Sequence, residues 1–360
     1  MKIQYNNEDD SNSKNKNIIN QYENNNFSDP NNVKYQYDLT EDSYCQYSFL
    51  DNIFCVFKSI DKILYLIYIN ENKSIIFYNL INKQKISEIK KAHKLSIFNF
   101  RHYLDKINKR DLILSISFGN NIKVWDIKNL KCLLNMENIY DCGTIYSACF
   151  INDNNQNYVI TSNSDYPSNF GLIKIFDFNG NKVKEINNSN DSTFFIDTYY
   201  DKRFLKYYII TGNYDYVKSY DYNNNKMYRK YCDSVDKEKD KSCHISIVIN
   251  DFENEIKMIE SSYDGNIRIW NFYSGDLLKK IYVSKYQLNG ICLWNNNYLF
   301  VGCHDKNIKL IELNKEKIID IVGHKKYVLT IKKIIHPNFG ECLISQGPLD
   351  DQIKLWINQS

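Results

Sequence analysis

The chain has 360 residues, 43% of them apolar and 15% aromatic, which is enough to bury a large core in one big domain or two smaller ones. Its 46 basic and 43 acidic side chains leave a formal net charge of +3, so no global field draws it to nucleic acid or to an anionic membrane. Tyr (30) and Phe (19) far outnumber Gly (12) and Pro (4), a surplus of strand formers.

Residues 1–35 are mostly Asn, Asp, Ser, Lys and Gln with few apolar anchors. Such a composition cannot repay the entropy of ordering, and a disordered polar tail is expected there, ahead of a single domain over 36–360. The opening stretch MKIQYNNEDDSNSKNKN has no apolar centre, and the longest apolar run, ILYLIYI at 63–69, is far shorter than the roughly 20 residues that span a bilayer. A soluble cytoplasmic protein is expected, with the nucleus left open as a second compartment. Ten cysteines are scattered from Cys45 to Cys342 with no C-x-x-C and no histidine at finger spacing. They read as small buried hydrophobes rather than ligands, and no metal is expected.

Along the chain one short strand recurs: IIFYN ending at Asn79, IKVWD at Asp126, IKIFD at Asp177, VKSYD at Asp221, IRIWN at Asn271, IKLIE at Glu312 and IKLWI at Ile357. The aromatic or its substitute falls at Tyr78, Trp125, Phe176, Tyr220, Trp270, Ile311 and Trp356, spaced 41 to 51 residues apart. That spacing is close to one four-stranded propeller blade. Before the marked strand lies an apolar strand ending in small residues (LILSIS 112–117, YVITSN 158–163, YYIITG 207–212, MIESS 258–262, YLFVGC 298–303, CLISQ 342–346), and after it a Lys/Glu-alternating strand such as KCLLNM 131–136. NDNNQN (152–157), SDYPSNF (164–170) and DSVDKEKDKS (233–242) read as polar insertions between strands. The pattern predicts an all-β fold, a seven-bladed β-propeller of four-stranded antiparallel blades.

Over roughly residues 40 to 358 the chain resembles the WD40 repeat family. The last unit matches best: Gly323-His324, Ser345, Asp350 and Trp356 stand where the family has its Gly-His, strand Ser/Thr, turn Asp and Trp. The resemblance implies that these side chains form a hydrogen-bonded set tying one blade together. The second unit keeps His93 and Trp125 but has Gly119 in place of the turn Asp, and the fifth keeps Asp264 and Trp270.

The sequence contains no G-x-x-x-x-G-K-[ST], G-x-S-x-G, H-E-x-x-H or G-x-G-x-x-G, so neither catalytic residues nor a cofactor is expected. His93, His244 and His324 fall near the starts of blades, where a structural role is expected. In the family resembled, the turn before the marked strand and the loop leading into the blade line one face. Those positions here are Phe118, Tyr214, Tyr263, His304 and Leu349, with Lys325 and Tyr327 from the last leading loop. Aromatic residues favour protein contacts, and the function expected is a non-enzymatic scaffold presenting this face to peptides or partner domains, one copy working within a multiprotein complex. Two alternatives stand beside it. One is a substrate receptor of a ubiquitin ligase, against which Trp125-Asp126-Ile127-Lys128 offers Lys where an Arg fork is wanted. The other is a subunit of an RNA-processing complex, against which the near-neutral charge argues.

The chain stops just past the marked strand of the last unit, so the outer strand of that blade must come from elsewhere. The segment QYDLTEDSYCQYSF (36–49) has the mixed alternation of an outer strand and is expected to close the ring by pairing with IKLWI, removing two open sheet edges.

Overall fold

The computed structural model describes residues 29–40, 43, 53–164, 171–187, 192–214, 216–233, 243–252, 255–348 and 352–358. Apart from one short 3-10 turn at Pro30–Asn32, every described element is a strand, and the strands form seven four-stranded antiparallel sheets. Blades 1 to 6 occupy 55–89, 97–136, 144–187, 193–231, 244–282 and 288–321, each a simple meander of consecutive strands. Blade 7 is built from Thr330–His336, Gly340–Gln346 and Lys354–Asn358, with Val33–Asp38 as its outer strand. The fold is the seven-bladed propeller that the repeat predicts. Among the described residues no helix is long and apolar enough to cross a membrane.

The apolar residues form seven cores, one between each adjacent pair of blades. Period-2 alternation explains how one strand serves two of them. In blade 2, Leu112, Leu114, Ile116, Ile122 and Val124 point toward blade 3, while Ile113 and Trp125 point toward blade 1. A strand buried on both faces must be apolar at nearly every position, which is why the second strands read as continuous runs such as LILSIS. The marked residue always faces the preceding blade: Phe176 packs with blade 2, Tyr220 with blade 3, Trp270 with blade 4 and Trp356 with blade 6.

The marked residue also coincides with a change of register. In six blades the outer strand carries one extra residue at the step into the mark: Ile86, Leu133, Val183, Tyr228, Leu278 and, in blade 7, Gln36. Blade 6, whose mark is the aliphatic Ile311, pairs without a bulge. The Asp or Asn after the mark shapes the hairpin that follows. Asp126 Oδ1 accepts from the backbone N–H of Lys128 (2.9 Å), Asp177 Oδ1 from Asn179 (2.9 Å), Asp221 Oδ1 from Asn223 (2.9 Å), and Asn79 and Asn271 do the same. These are side-chain-capped turns, and they give the second letter of the repeated pair a local physical role.

One expectation is corrected. The stretch 152–157 is not an insertion: strands Thr144–Asp153 and Gln156–Ser164 run straight into a two-residue turn, Asn154-Asn155, with φ of 48° and 59°. Asn tolerates the left-handed region that a tight hairpin needs, so an Asn-rich run can mark a turn rather than a long loop. Residues 165–170 and 234–242 of the other two stretches lie outside the described residues.

The ring closes through Val33–Asp38, which pairs antiparallel with Lys354–Asn358, Tyr35 opposite Trp356 and Asp38 opposite Lys354. The strand begins three residues earlier than the 36–49 segment expected, and it takes in the last three residues of the stretch read as tail. The sequence VKYQYD supplies the reason: Val33 joins the core around Trp356, and Tyr35 meets the Trp356 ring edge-on at 5.7 Å. Lys354 Nζ donates to Asp38 Oδ1 at 2.8 Å, and Leu39 N–H to the Ile353 carbonyl at 2.7 Å. In the core between blades 7 and 1, Leu39, Ile53 and Phe54 pack with Leu329 and Ile344.

Two truncations test this latch. Removing residues 1–28 is expected to leave Tm within about 1 °C of the full chain, whereas removing 1–38 strips an outer strand and is expected to lower it by about 5 °C or more, or to cause aggregation. Equal melting temperatures by scanning calorimetry would contradict the closure.

Candidate interaction face at the channel mouth

The loops leading into the blades and the turns between second and third strands are held by hydrogen-bonded ties at one end of the ring. In blade 7, His324 Nε2 lies 2.7 Å from Ser345 Oγ, and Trp356 Nε1 donates to the same oxygen at 2.7 Å. Blade 2 repeats this with His93, Ser115 and Trp125 at 2.7 and 2.8 Å. Asp350 lies outside the described residues. In blade 2, where Gly119 replaces the turn Asp, His93 Nδ1 has no hydrogen-bond partner.

Blade 5 ties itself differently. Glu260 takes the register of Ser115 and Ser345, two positions across from Trp270. One carboxylate oxygen meets His244 Nδ1 and the other accepts from Trp270 Nε1 at 3.1 Å. Asp264 belongs to a neighbouring cluster instead. It pairs with the Arg268 guanidinium and with Ser262, while Arg268 Nε also donates to Asp233 Oδ2 at 2.7 Å. Burial pushes the Asp264 carboxyl up, but Arg268 outweighs it and holds it down at about 2.

These ties fix the backbone that carries the predicted face. The N–H groups of Phe118, Tyr263 and His304 each donate to the carbonyl just before their blade's inner strand, those of Ser96 (3.1 Å), Cys243 (3.1 Å) and Gln287 (3.0 Å). The three side chains therefore leave equivalent points of blades 2, 5 and 6, each half-buried. The structure gathers Tyr263, His304 and Tyr327: ring centroids lie 6.3 Å apart for the first pair and 4.3 Å for the second, which is stacked at 22°. Phe118 instead packs on Phe98 at 4.7 Å and borders a cavity of about 310 Å³ with Lys94, Leu95 and Lys123. Tyr214 is 36% exposed on blade 4, and Lys325 is exposed beside Tyr327. Leu349 lies outside the described residues.

Two aromatics of this mouth carry no repeat signal and were not anticipated. Tyr146, at the start of blade 3's inner strand, stacks on Phe194 of blade 4 at 5.5 Å. Tyr146 and Tyr327 both lie within electrostatic reach of Tyr263. Burial pushes the Tyr263 phenol up and the His304 imidazole down, so both are neutral near pH 7. Tyr263 Oη and His304 Nε2 are shut off from water, and neither has a hydrogen-bond partner. An unpaired buried polar group costs about 1–3 kcal/mol.

Below the mouth, Arg101 of blade 2 reaches Asp197 of blade 4, with 3.6 Å between charged atoms, and donates to the Ile196 carbonyl at 3.4 Å. Both residues lie on inner strands, so the pair crosses the throat. Lys332 and Arg101 both act on Cys55 of blade 1, whose thiol burial nonetheless pushes up to about 12. Cys149, buried nearby, is likewise pushed up by desolvation. These thiols are poor nucleophiles, and the throat offers charge and hydrogen bonding rather than a reactive sulfur. A second cavity, about 400 Å³, opens between blades 5 and 6 at the other end of the strands, where Phe252 and Leu278 are exposed.

No family model matches the chain, and no curated protein matches it.

The His93 tie makes stability depend on pH. Burial, followed by the Lys123 charge, pushes its imidazole down to about 3 from an ordinary 6.5. The unfolded chain therefore takes up the proton first, so this contribution is intact above pH 6.5 and is lost as pH falls toward 3. The loss is about 1.4 kcal/mol per pH unit at most. Urea denaturation between pH 7 and 4.5 is expected to show a shallower pH slope for His93→Gln than for the parent. Identical slopes would mean that this imidazole is not held neutral.

Proposed function

We propose that the chain is a divergent member of the WD40 repeat family and a non-enzymatic scaffold, which presents its channel mouth to peptides or partner domains inside a multiprotein complex. Family membership is supported by the His–Ser–Trp ties of blades 2 and 7, which have three of the four residues of that family's set in its register. The scaffold reading is carried by one observation: Tyr146, Phe194, Tyr263, His304 and Tyr327, from five consecutive blades, stand half-exposed at one mouth. Aromatic side chains that are neither fully buried nor scattered are what partner-binding surfaces use. A cytoplasmic location fits nine described cysteines that are all free thiols.

Tagged protein recovered from cells tests the reading. Tyr263→Ala and Tyr327→Ala are expected to keep Tm within a few degrees yet lose associated proteins, since removing an aromatic hot spot costs about 2 kcal/mol or more of binding. Trp356→Ala and His324→Ala are expected to destabilise blade 7 itself. Rim variants that fold and keep every partner would move the working surface elsewhere.

A further inference from the structure

The end of the ring opposite the mouth carries its charge unevenly. On blades 4 to 6 the cations there meet acids: Arg203 with Asp251 at 3.3 Å, Lys206 with Asp221 at 3.4 Å, Lys257 with Glu255 at 2.7 Å and Lys315 with Glu312 at 2.8 Å. Blades 1 and 2 differ. Lys58, Lys62, Lys106, Lys109, Lys128 and Lys131 are exposed on their hairpins and strand ends, and among the described residues none of these ammonium groups meets an acid. The carboxylates of the same hairpins are turned inward. Asp105 accepts from Arg110 Nε at 2.9 Å, Asp111 Oδ1 lies 2.7 Å from His102 Nε2, and Asp126 caps its own turn. Asp61 is the exposed carboxylate described there. This sector is positive on a chain that is nearly neutral as a whole.

Each of the two inner hairpins also holds an isoleucine out at its tip. In blade 2, Asp105 accepts from the Asn108 N–H at 3.2 Å and from the Asn108 side chain at 2.8 Å, which fixes the turn and leaves Ile107 47% exposed between Lys106 and Lys109. In blade 1, the Ser59 carbonyl closes the turn by accepting from the Lys62 N–H at 2.9 Å, and Ile60 is 45% exposed. The Ile60 N–H donates to Asp111 Oδ2 at 2.8 Å, so the two turns are tied side by side, with Lys109 and Lys128 lining the cleft between them.

We propose that this sector rests on an anionic bilayer surface, its lysines meeting the headgroups while Ile60 and Ile107 reach the acyl boundary. Lysines alone would fit any polyanion, and the two apolar tips decide for lipid. A single-stranded nucleic acid would use open aromatic faces for its bases, but the aromatics beside these lysines stack on one another instead, Phe57 on Tyr65 at 5.6 Å and on His102 at 3.7 Å. The mouth stays free at the far end, so this attachment does not depend on the scaffold reading.

Cosedimentation of the full chain with vesicles tests the proposal. Vesicles of equal parts phosphatidylcholine and phosphatidylserine are expected to bind at least about tenfold more tightly than phosphatidylcholine alone, and the advantage is expected to shrink as salt rises. Each lysine near such a surface is worth about fivefold, so Lys106→Gln/Lys109→Gln is expected to lose about twentyfold. Ile107→Ser is expected to lose about threefold or more. Lys315→Gln/Lys317→Gln, which takes the same charge from blade 6, is expected to keep the parent affinity. All three variants alter exposed side chains and are expected to melt with the parent. Oligo-uridine and polyglutamate are expected to show no saturable binding at protein concentrations that saturate the anionic vesicles. No preference for the anionic vesicles, an equal loss in the blade 6 variant, an Ile107→Ser affinity equal to the parent's, or saturable binding of either polymer would overturn the proposal.

Discussion

Every blade of this ring is apolar on both faces, so none can bury itself without a neighbour on each side. Seven cores lie between seven blades, and the count closes only if the last blade meets the first. An open ring would expose one core's worth of apolar surface and two sheet edges together, each a route to aggregation. The pairing of Val33–Asp38 with Lys354–Asn358 removes both at once. Distant parts of the chain thereby become one element, and the stability of the middle blades depends on contacts made near the ends.

Once the ring is closed, the chemistry of its rim is free to vary. The tie inside a blade needs only a donor pair and an acceptor at the right register, and the chain meets that need in two ways: a serine hydroxyl in blades 2 and 7, and a fully buried glutamate in blade 5. The glutamate brings a charge into the interior, which has to be matched by nearby hydrogen bonds. His244 and Trp270 supply them, with Arg268 4.0 Å away. The turns held by these ties carry the half-buried aromatic side chains of the mouth, Phe118, Tyr263 and His304 among them.

Much of the architecture was legible because strands buried on both faces leave a dense apolar signal and the marked residue repeats in register. LILSIS, YLFVGC and KCLLNM all fall within single strands. Other features left weaker marks. The bulge beside each aromatic is a backbone event without a residue type of its own, since Ile86, Leu133 and Gln36 all occupy it. Glu260 was readable in principle, as the lone acid within the buried run MIESS at the position where other blades place Ser. Tyr146 and Phe194 begin inner strands, whose residues are chosen by the throat rather than by the repeat. The start of the closing strand leaves little mark because VKYQYD mixes core and surface residues, and only Val33 and Tyr35 facing Trp356 reveal it.

Hydrogen exchange followed by mass spectrometry on the intact chain addresses the closure most directly. If Val33–Asp38 is a true outer strand, its amides that pair with Lys354–Asn358 are protected and exchange together with the third strand of blade 7, as one cooperative unit. Protection of Lys354–Asn358 with open-chain exchange over Val33–Asp38 would contradict the account, because the ring would then be held by side-chain packing alone.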